Sequence, residues 1–426
     1  MSEFINRPLS RRGFLGGATV AAGLGLTACG GGQQKAAEAP SGKEGGGTIT
    51  AGTAYSTQNY DPSTTSSALA LGVNWQVVEG LYGLNFHDYS TFNELATADP
   101  KKVDDYTFEI TLRDGAKFSD GNEVKADDVV ESFNRSAAKG SVYVPMLSPI
   151  ASVEKKDDKT VTVKTTIANF SLLKERLSIV RVVPASSSQD EMKKQPVGSG
   201  PWQFESISDN TLDLVPNKNY NGATPAKDEK LHYDVLKDPT ARLTAQQDGT
   251  TLAMEMVPAD AVDQLKGAGC TVDAVQGFGV RFAMFNLGKA PWDNVKVRQA
   301  CLYALDTDKM LANAFSGQAE VATSYLPSSF ANYHKSSTVY AHDVDKAKKL
   351  ISESGITPGD VVLRTTDNEQ VKSMATQVKN DLDALGFNVS IVSDTSPATY
   401  AAIDAVDGSW DILLAPGDPS CFGADV

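Results

Sequence analysis

The spacing of apolar residues predicts short strands and helices from residue 48 onward. Residues 48–54 are typical of a short strand, and a turn is predicted at Asn59–Ser63. Leu69, Val73 and Val77 then recur every fourth residue, a series that Leu81 continues. This spacing places the side chains on one face of a helix.

The next hundred residues favour antiparallel strands. Tyr106, Phe108, Ile110 and Leu112 alternate with polar residues, as in a half-buried strand that ends at the turn Asp114-Gly115. A second turn, Asp120-Gly121, precedes a helix predicted at 127–133. A hairpin is predicted at 153–165, around Asp157-Asp158. We therefore expect a mainly antiparallel region here.

The last third is more regular and predicts a βαβ unit. Apolar residues from Val371 to Leu385 follow a helical period, and Gly386 is expected to end that helix. Strands are predicted on either side and a third near the end, at 361–363, 387–391 and 410–414. Further helices are predicted at 293–306 and 343–353. Such an order is typical of α/β proteins with a parallel sheet.

Composition narrows the class of protein. The 426 residues are 41% hydrophobic and 22% charged, enough for two or three globular domains. A net charge of −14 argues against a nucleic-acid partner, which would require basic patches. The four cysteines and four histidines form no zinc motif, and no phosphate loop or GxSxG elbow occurs. These observations remove the commonest support for an enzyme without excluding one.

The first 47 residues are interpreted as an export signal and a tether. Ser10 to Leu15 form a twin-arginine pattern, an apolar run follows to Ala28, and Leu26 to Cys29 resemble a lipobox. Residues 1–29 are thus the predicted signal, with Cys29 as the lipidated residue. The alternative is a buried N-terminal helix with an incidental cysteine. Residues 30–47 predict a flexible tether.

Four segments resemble the family 5 extracellular solute-binding proteins of ABC importers, the group of oligopeptide- and dipeptide-binding proteins. They are Tyr106–Val129, Pro196–Trp202, Phe285–Asp306 and Asp345–Gly355. Lys125 departs from the family's threonine and removes a hydroxyl helix cap, worth roughly 1 kcal/mol. Most matched residues, including Arg298 and Asp306, are expected to be structural.

The resemblance implies an α/β, periplasmic-binding-protein-like type II two-lobe fold with an extra family insert domain. The first lobe is expected at 48–285, with an insert subdomain at about 80–185, and the second lobe at 286–426. Because the family's sequences continue well beyond this point, we expect the second lobe to be truncated at its C-terminus.

The resemblance also suggests where ligand binds. A zwitterion that leaves water needs counter-charges, and peptide-binding members place a carboxylate at the ligand's amino group. Asp418, after the last predicted strand, is the candidate, although an Asp-Pro turn is the alternative. Arg364 is the candidate for the ligand's carboxylate, or else a solvated surface arginine. Thr53 and Tyr55 are expected at the cleft.

Phe278 is a further candidate, for aromatic packing on the ligand or for a place in the core. The expected partners are a peptide or another small solute, an ABC permease and ATPase complex, and the membrane through the lipid anchor. No cofactor or metal is expected, and the protein is placed outside the cell membrane or in the periplasm. Export permits a disulfide, and Cys270 with Cys301 is one pairing.

Several functions stay open at this point. The same fold binds nickel, haem, glutathione and oligosaccharides in other proteins, so the fold does not fix the ligand. A peptide-sensing receptor without transport is a second alternative. A surface hydrolase is a third and would need a nucleophile paired with a base, which the four scattered histidines do not suggest.

Overall fold

The strand predicted at residue 48 lies inside the first main sheet. A computed structural model describes residues 46–86, 89–139, 141–277, 279–330, 333–395, 398–399 and 409–417. The first sheet has the order β11-β1-β10-β9-β8, and β1 is parallel to both of its neighbours. Its strands are β1 (Thr48–Thr53), β8 (Trp202–Ile207), β9 (Thr211–Pro216), β10 (Lys230–Val235) and β11 (Ala253–Met254). The predicted first strand is confirmed.

Helix α1 (Ala68–Val77) packs one face against this sheet. Leu69, Val73 and Val77 are buried, as their spacing predicted, together with apolar residues of β8 and β9. Leu81 lies beyond the end of the helix and belongs to the next core. The remaining helices of this region are α5 (Gln189–Lys194), α6 (Pro239–Gln247) and α7 (Val262–Gly267).

A separate core holds the region between Leu81 and Val182 together. Its strands form one four-stranded antiparallel sheet, β4-β5-β7-β6, and the pair β2-β3. The elements are β2 (Tyr82–Leu84), β3 (Thr91–Asn93), β4 (Lys101–Lys102), β5 (Thr107–Thr111), β6 (Ile150–Lys155), β7 (Thr160–Thr165), α2 (Ala126–Ser136), α3 (Val144–Leu147) and α4 (Leu173–Ser178). The predicted hairpin and the antiparallel character are confirmed.

Two local predictions in this region are corrected or refined. Phe108, Ile110 and Leu112 are buried, but Tyr106 is 52% exposed. Tyr106 precedes the strand, where its N–H donates to the Asp104 carboxylate at 2.8 Å. At the start of α2 the side chain of Lys125 makes no capping bond; instead the Asp128 carboxylate accepts the Lys125 N–H at 2.8 Å.

Two buried ion pairs lie where this region meets the end of α1. Arg113 forms a bidentate pair with Glu79, with both nitrogen–oxygen distances 2.7 Å. Arg181 pairs with Glu94 at 2.7 Å, and its guanidinium carbon lies 3.3 Å from the centre of the Trp75 ring. Fewer than one fifth of any of the four charged side chains is exposed. The junction is therefore fixed by charges that water screens weakly.

The second main sheet contains the predicted βαβ unit. Strands β13 and β14 are parallel and joined by α11, β15 is parallel to β13, and β12 is antiparallel to β15. The bounds are β12 (Val280–Phe285), β13 (Asp360–Thr366), β14 (Asn388–Asp394), β15 (Ile412–Gly417), α8 (Val295–Ala304), α9 (Thr307–Phe315), α10 (Val344–Ser354) and α11 (Glu369–Asp383). Gly386 follows α11 and has a positive φ of +95°, which agrees with its predicted role in ending that helix.

Two boundaries differ from the sequence prediction. The first lobe was expected to include residues up to 285, but β12 lies in the second sheet because its whole length pairs with β15. Ala283 and Phe285 also pack into the core of that sheet. Arg364 was expected after a strand ending at 363, whereas β13 continues to Thr366 and contains Arg364.

Two of the matched residues in the second region, Arg298 and Asp306, make contacts inside the fold. Arg298 donates to the carbonyl of Trp292 at 2.6 Å, and Asp306 caps α9 by accepting the N–H of Lys309 at 3.0 Å. The pairing of Cys270 with Cys301 is wrong, because both are free thiols and Cys301 is buried in the second core. None of the helices in the described ranges combines the length and apolar character that crossing a membrane requires.

Candidate functional site

A groove of about 320 Å³ opens at the carboxyl end of β1. Its floor is the end of β1 and β11, and its walls come from α1 and β10, so four elements of the first sheet region converge there. The lining includes Thr53, Gly72, Gln76, Tyr233 and Glu255. Ligand sites in α/β proteins commonly lie at the carboxyl ends of parallel strands, where loops bring polar groups together.

Glu255 is held at this groove by the end of β1. Its Oε1 accepts hydrogen bonds from the Thr53 hydroxyl at 2.5 Å and from the Ala54 N–H at 3.1 Å. Thr53 is 4% exposed, and its hydroxyl oxygen also accepts the N–H of Tyr55 at 3.3 Å. The carboxylate position is therefore set by the buried Thr53 and by the partly exposed Ala54 that follows it, while Glu255 itself is exposed.

Tyr233 and Gln76 form the opposite polar pair. The Gln76 side-chain amide donates to the Tyr233 hydroxyl oxygen at 2.8 Å. Burial raises the pKa of the Tyr233 phenol, the bond from Gln76 opposes that rise, and the negative charge of Glu255 adds to it. The phenol is therefore neutral at physiological pH, and its O–H hydrogen can be donated to a bound group.

The structure brings together two of the five residues predicted to bind ligand. Thr53 lines the groove, and Tyr55 follows it with its side chain 38% exposed. Phe278, Asp418 and the lipidation residue Cys29 lie outside the described residues. Their predicted roles, and those of Thr53 and Tyr55, stay predictions.

Arg364 lies in the second sheet and is already paired. Its Nη1 is 2.6 Å from Asp394 Oδ2, and only 15% of the arginine side chain is exposed. Beside it on β13, the hydroxyls of Thr365 and Thr366 are buried and make no hydrogen bond to the part of the chain that is described. A ligand carboxylate at Arg364 would have to share the guanidinium with Asp394.

Sequence reasoning missed Glu255, Gln76 and Tyr233. Glu255 follows a strand of only two residues, whose pairing with β1 sets Gly52 opposite Met254 and so brings Glu255 beside Thr53. A strand this short leaves no alternating pattern in the sequence. Gln76 would have been recognisable only as a polar residue next to the buried stripe of α1.

A larger depression, of about 420 Å³, is less suited to binding. It lies between α2 and α5 and is lined by Asp61, Arg135 and Ser188, among others. The Asp61 carboxylate accepts from Ser63 and Thr64. The Arg135 guanidinium donates to the Glu131 carboxylate and the Ala185 carbonyl. Because these charged groups are satisfied internally, they offer a ligand little.

The described residues hold no cluster of three or more potential metal ligands. His232 is bound on both ring nitrogens, to Asp213 at 2.7 Å and to Asp234 at 3.3 Å. The hydrogen bond that His232 donates to the Asp213 carboxylate raises the pKa of His232, and burial opposes that rise. This histidine lies on the first sheet, on strand β10, and is not part of the groove lining.

Comparison with known proteins agrees with this architecture. The family model described as bacterial extracellular solute-binding proteins, family 5 Middle, matches residues 92–422. Haem-binding protein A of Haemophilus influenzae is 31% identical over 363 residues, which cover 75% of this chain and 64% of that protein. A protein of Brucella ovis named as an ABC transporter peptide-binding protein is 30% identical over 264 residues, covering 59% and 49%.

The chain thus spans between about half and about two thirds of the length of these curated relatives. Among solved structures, the periplasmic binding protein DppA from Helicobacter pylori, in complex with a peptide, superposes with a TM-score of 0.77 at 20% identity. That match covers 90% of this chain and 80% of the other, and it supports the two-lobe α/β fold. Because the family match extends over most of the sequence, this chain belongs to the family 5 bacterial extracellular solute-binding proteins.

Proposed function

We propose that this chain captures a small solute, foremost an oligopeptide or a dipeptide, and delivers it to an ABC permease and its ATPase. The observation that carries the proposal is the groove at the carboxyl end of β1, in a chain whose family binds extracellular solutes. Polar groups fixed by buried strand ends are what a binding site needs in order to select its ligand.

The proposed trap uses both sheets. We place the lobe boundary just before Val280, because β12 pairs within the second sheet, and the insert subdomain at about 80–185, whose core is separate. The first lobe offers Thr53 and Tyr55 in this proposal. The second offers Arg364 and Asp418, with Phe278 near the crossing. Hinged closure of two lobes would bury the solute and form the surface that the permease recognises.

The proposed location is the outer face of the cell membrane or the periplasm. The support is the twin-arginine pattern followed by the lipobox, with Cys29 as the lipid-bearing residue. A lipid anchor on a flexible tether would hold the trap within reach of the permease. Incorporation of a labelled fatty acid that is lost in Cys29→Ser tests this part of the proposal.

We further propose binding without chemical turnover. In the described residues the groove lining contains no histidine or cysteine, and its carboxylate accepts hydrogen bonds from the end of β1. A hydrolase would need a nucleophile activated by a base within hydrogen-bond distance. Intact mass of the released ligand checks this, since cleaved products would instead support the surface hydrolase.

The central experiment is native mass spectrometry of the exported protein, purified without added ligand. We expect retained peptide; retained nickel, haem, glutathione or oligosaccharide would replace peptide as the solute. A protein that retains nothing and binds none of these solutes on addition would contradict solute capture.

A pair of glycine variants links the ligand to the groove. Gly72 lies on α1 at the groove, and a Cβ built there meets no atom within 4 Å. Gly72→Phe should therefore leave the fold intact while its ring fills the groove and weakens binding roughly tenfold or more. Gly267→Phe is the matched control, because Gly267 is equally open but lies on α7, away from the groove. Equal affinities in the two variants would place the ligand elsewhere.

A further inference from the structure

We propose that Glu255 makes this groove a subsite for a protonated amine of the solute. The inference rests on the proposed function and specifies its ligand. The groove lies on the first sheet, whereas the candidate Asp418 follows β15 of the second sheet in the sequence, so Glu255 is a carboxylate distinct from that candidate. Its chemistry is that of one fixed carboxylate with neutral polar neighbours.

The first step of the argument is that the carboxylate is preorganised. Two hydrogen bonds from Thr53 and Ala54 hold Oε1; Thr53 is the last residue of β1, which is hydrogen-bonded on both sides, and Ala54 follows it directly. Glu255 therefore does not have to lose much freedom when a ligand arrives. Preorganised polar groups bind more tightly than mobile ones because less entropy is lost on association.

The second step is that no described residue of the groove lining carries a positive charge that would neutralise Glu255. Among the described residues that line the groove, none is basic, and Glu255 is the one carboxylate. Its Oε1 accepts the hydrogen bonds of Thr53 and Ala54, whereas Oε2 accepts none from the described residues, and Glu255 as a residue is exposed. An ammonium group would supply the cation that the groove itself does not contain.

The third step is that the same geometry disfavours an anion. The N–H of Ala54, which could otherwise bind a ligand carboxylate, is directed to Glu255. Another donor in the groove lining is the neutral hydroxyl of Tyr233, whose oxygen accepts a hydrogen bond from Gln76. A ligand carboxylate placed here would meet a like charge without a counter-charge, which is costly once water is excluded.

The experiment uses paired pools of small solutes, with binding to the exported protein read by native mass spectrometry. One pool holds amines, including amino acids, di- to pentapeptides, polyamines and amino sugars; the other holds the N-acetylated form of each compound. We expect the wild type to take ligands from the amine pool, and the bound compound will distinguish a peptide ammonium from another amine. Glu255→Gln should weaken that binding by roughly 10- to 100-fold, the usual size of a hydrogen bond to a charged group.

Glu255→Gln retains an oxygen that can accept from Thr53 and Ala54, so the fold should be preserved, which thermal unfolding checks. Glu320→Gln, an exposed residue outside the groove lining, is the charge-matched control. Equal uptake of both pools with no effect of Glu255→Gln would overturn this inference and leave solute capture standing, and so would preference for the acetylated pool. Failure to bind either pool, or any solute named above, would contradict the proposed function itself.

Discussion

Removing the charge of Arg181 should destabilise the junction between the first sheet and the antiparallel region. Arg181 and Glu94 are 5% and 11% exposed, and Glu94 Oε2 also accepts the N–H of Gly80 at 2.7 Å. Arg181→Met keeps most of the packing on Trp75 but leaves a buried carboxylate without its cation. Breaking a buried pair in this way costs about 3–5 kcal/mol.

The assay is urea unfolding followed by far-UV circular dichroism, with two comparison variants. Lys164→Met removes an ion pair to Glu154 whose side chains are about half exposed, and it should cost less than about 1 kcal/mol. The double variant Arg181→Met/Glu94→Gln removes the buried charge while keeping an acceptor for Gly80. It should therefore recover much of the loss.

The pH dependence gives a second check with a definite sign. Burial raises the pKa of Glu94, and the charge of Arg181 opposes that rise. In Arg181→Met the opposing positive charge is absent. Glu94 in the folded state therefore binds a proton more tightly than Glu94 in the unfolded state. The stability of the variant should then increase as pH falls toward the ordinary glutamate range. If Arg181→Met cost no more than Lys164→Met, or if the double variant were no better than the single one, this reasoning would be refuted.

Two further predictions concern individual residues. The raised pKa of His232, caused first by its bond to Asp213, means that its contribution to stability is fully present below the ordinary histidine pKa and is lost as pH rises through the folded-state pKa. Wild type should therefore lose its urea-midpoint advantage over His232→Gln as pH rises above the ordinary histidine range, and a constant difference would argue against the pair. Lys125→Thr should stabilise α2 by about 1 kcal/mol, because the extended backbone at this cap position suits a hydroxyl that accepts an N–H of the first turn. Lys125→Ala serves as its control, and equal urea midpoints for the two variants would contradict the capping argument.

Much of the fold could be predicted from the sequence because its elements have strong periodic patterns. The buried series of α1, the alternating residues of β5 and the order of β13, α11 and β14 all agree with their predictions. Tyr106 fails because alternation also extends through a turn, where burial depends on the neighbouring strands. The place of β12 in the second sheet could not be predicted either, since strand pairing is decided by partners distant in sequence.

The candidate site was less accessible to prediction. Thr53 and Tyr55 could be proposed because they lie at the end of the first strand and just after it, and this is where the groove lies. Glu255 could not, since its position depends on β11, which has two residues and pairs with β1 across two hundred residues of sequence. The ion pair between Arg364 and Asp394 was missed for a related reason. Strands β13 and β14 were both predicted, but their full lengths were not.

The position of β1 also has a consequence for biosynthesis. Thr48 pairs with Lys230, and Ala51 pairs with Ala253, so the first strand of the described region is synthesised long before its partners. Until those partners arrive, both edges of β1 are open to pairing with other chains. Contacts this distant in sequence also slow folding. A nascent chain that stalls before Lys230 therefore exposes an aggregation-prone strand, and shielding of that strand by a chaperone would be most useful during this interval.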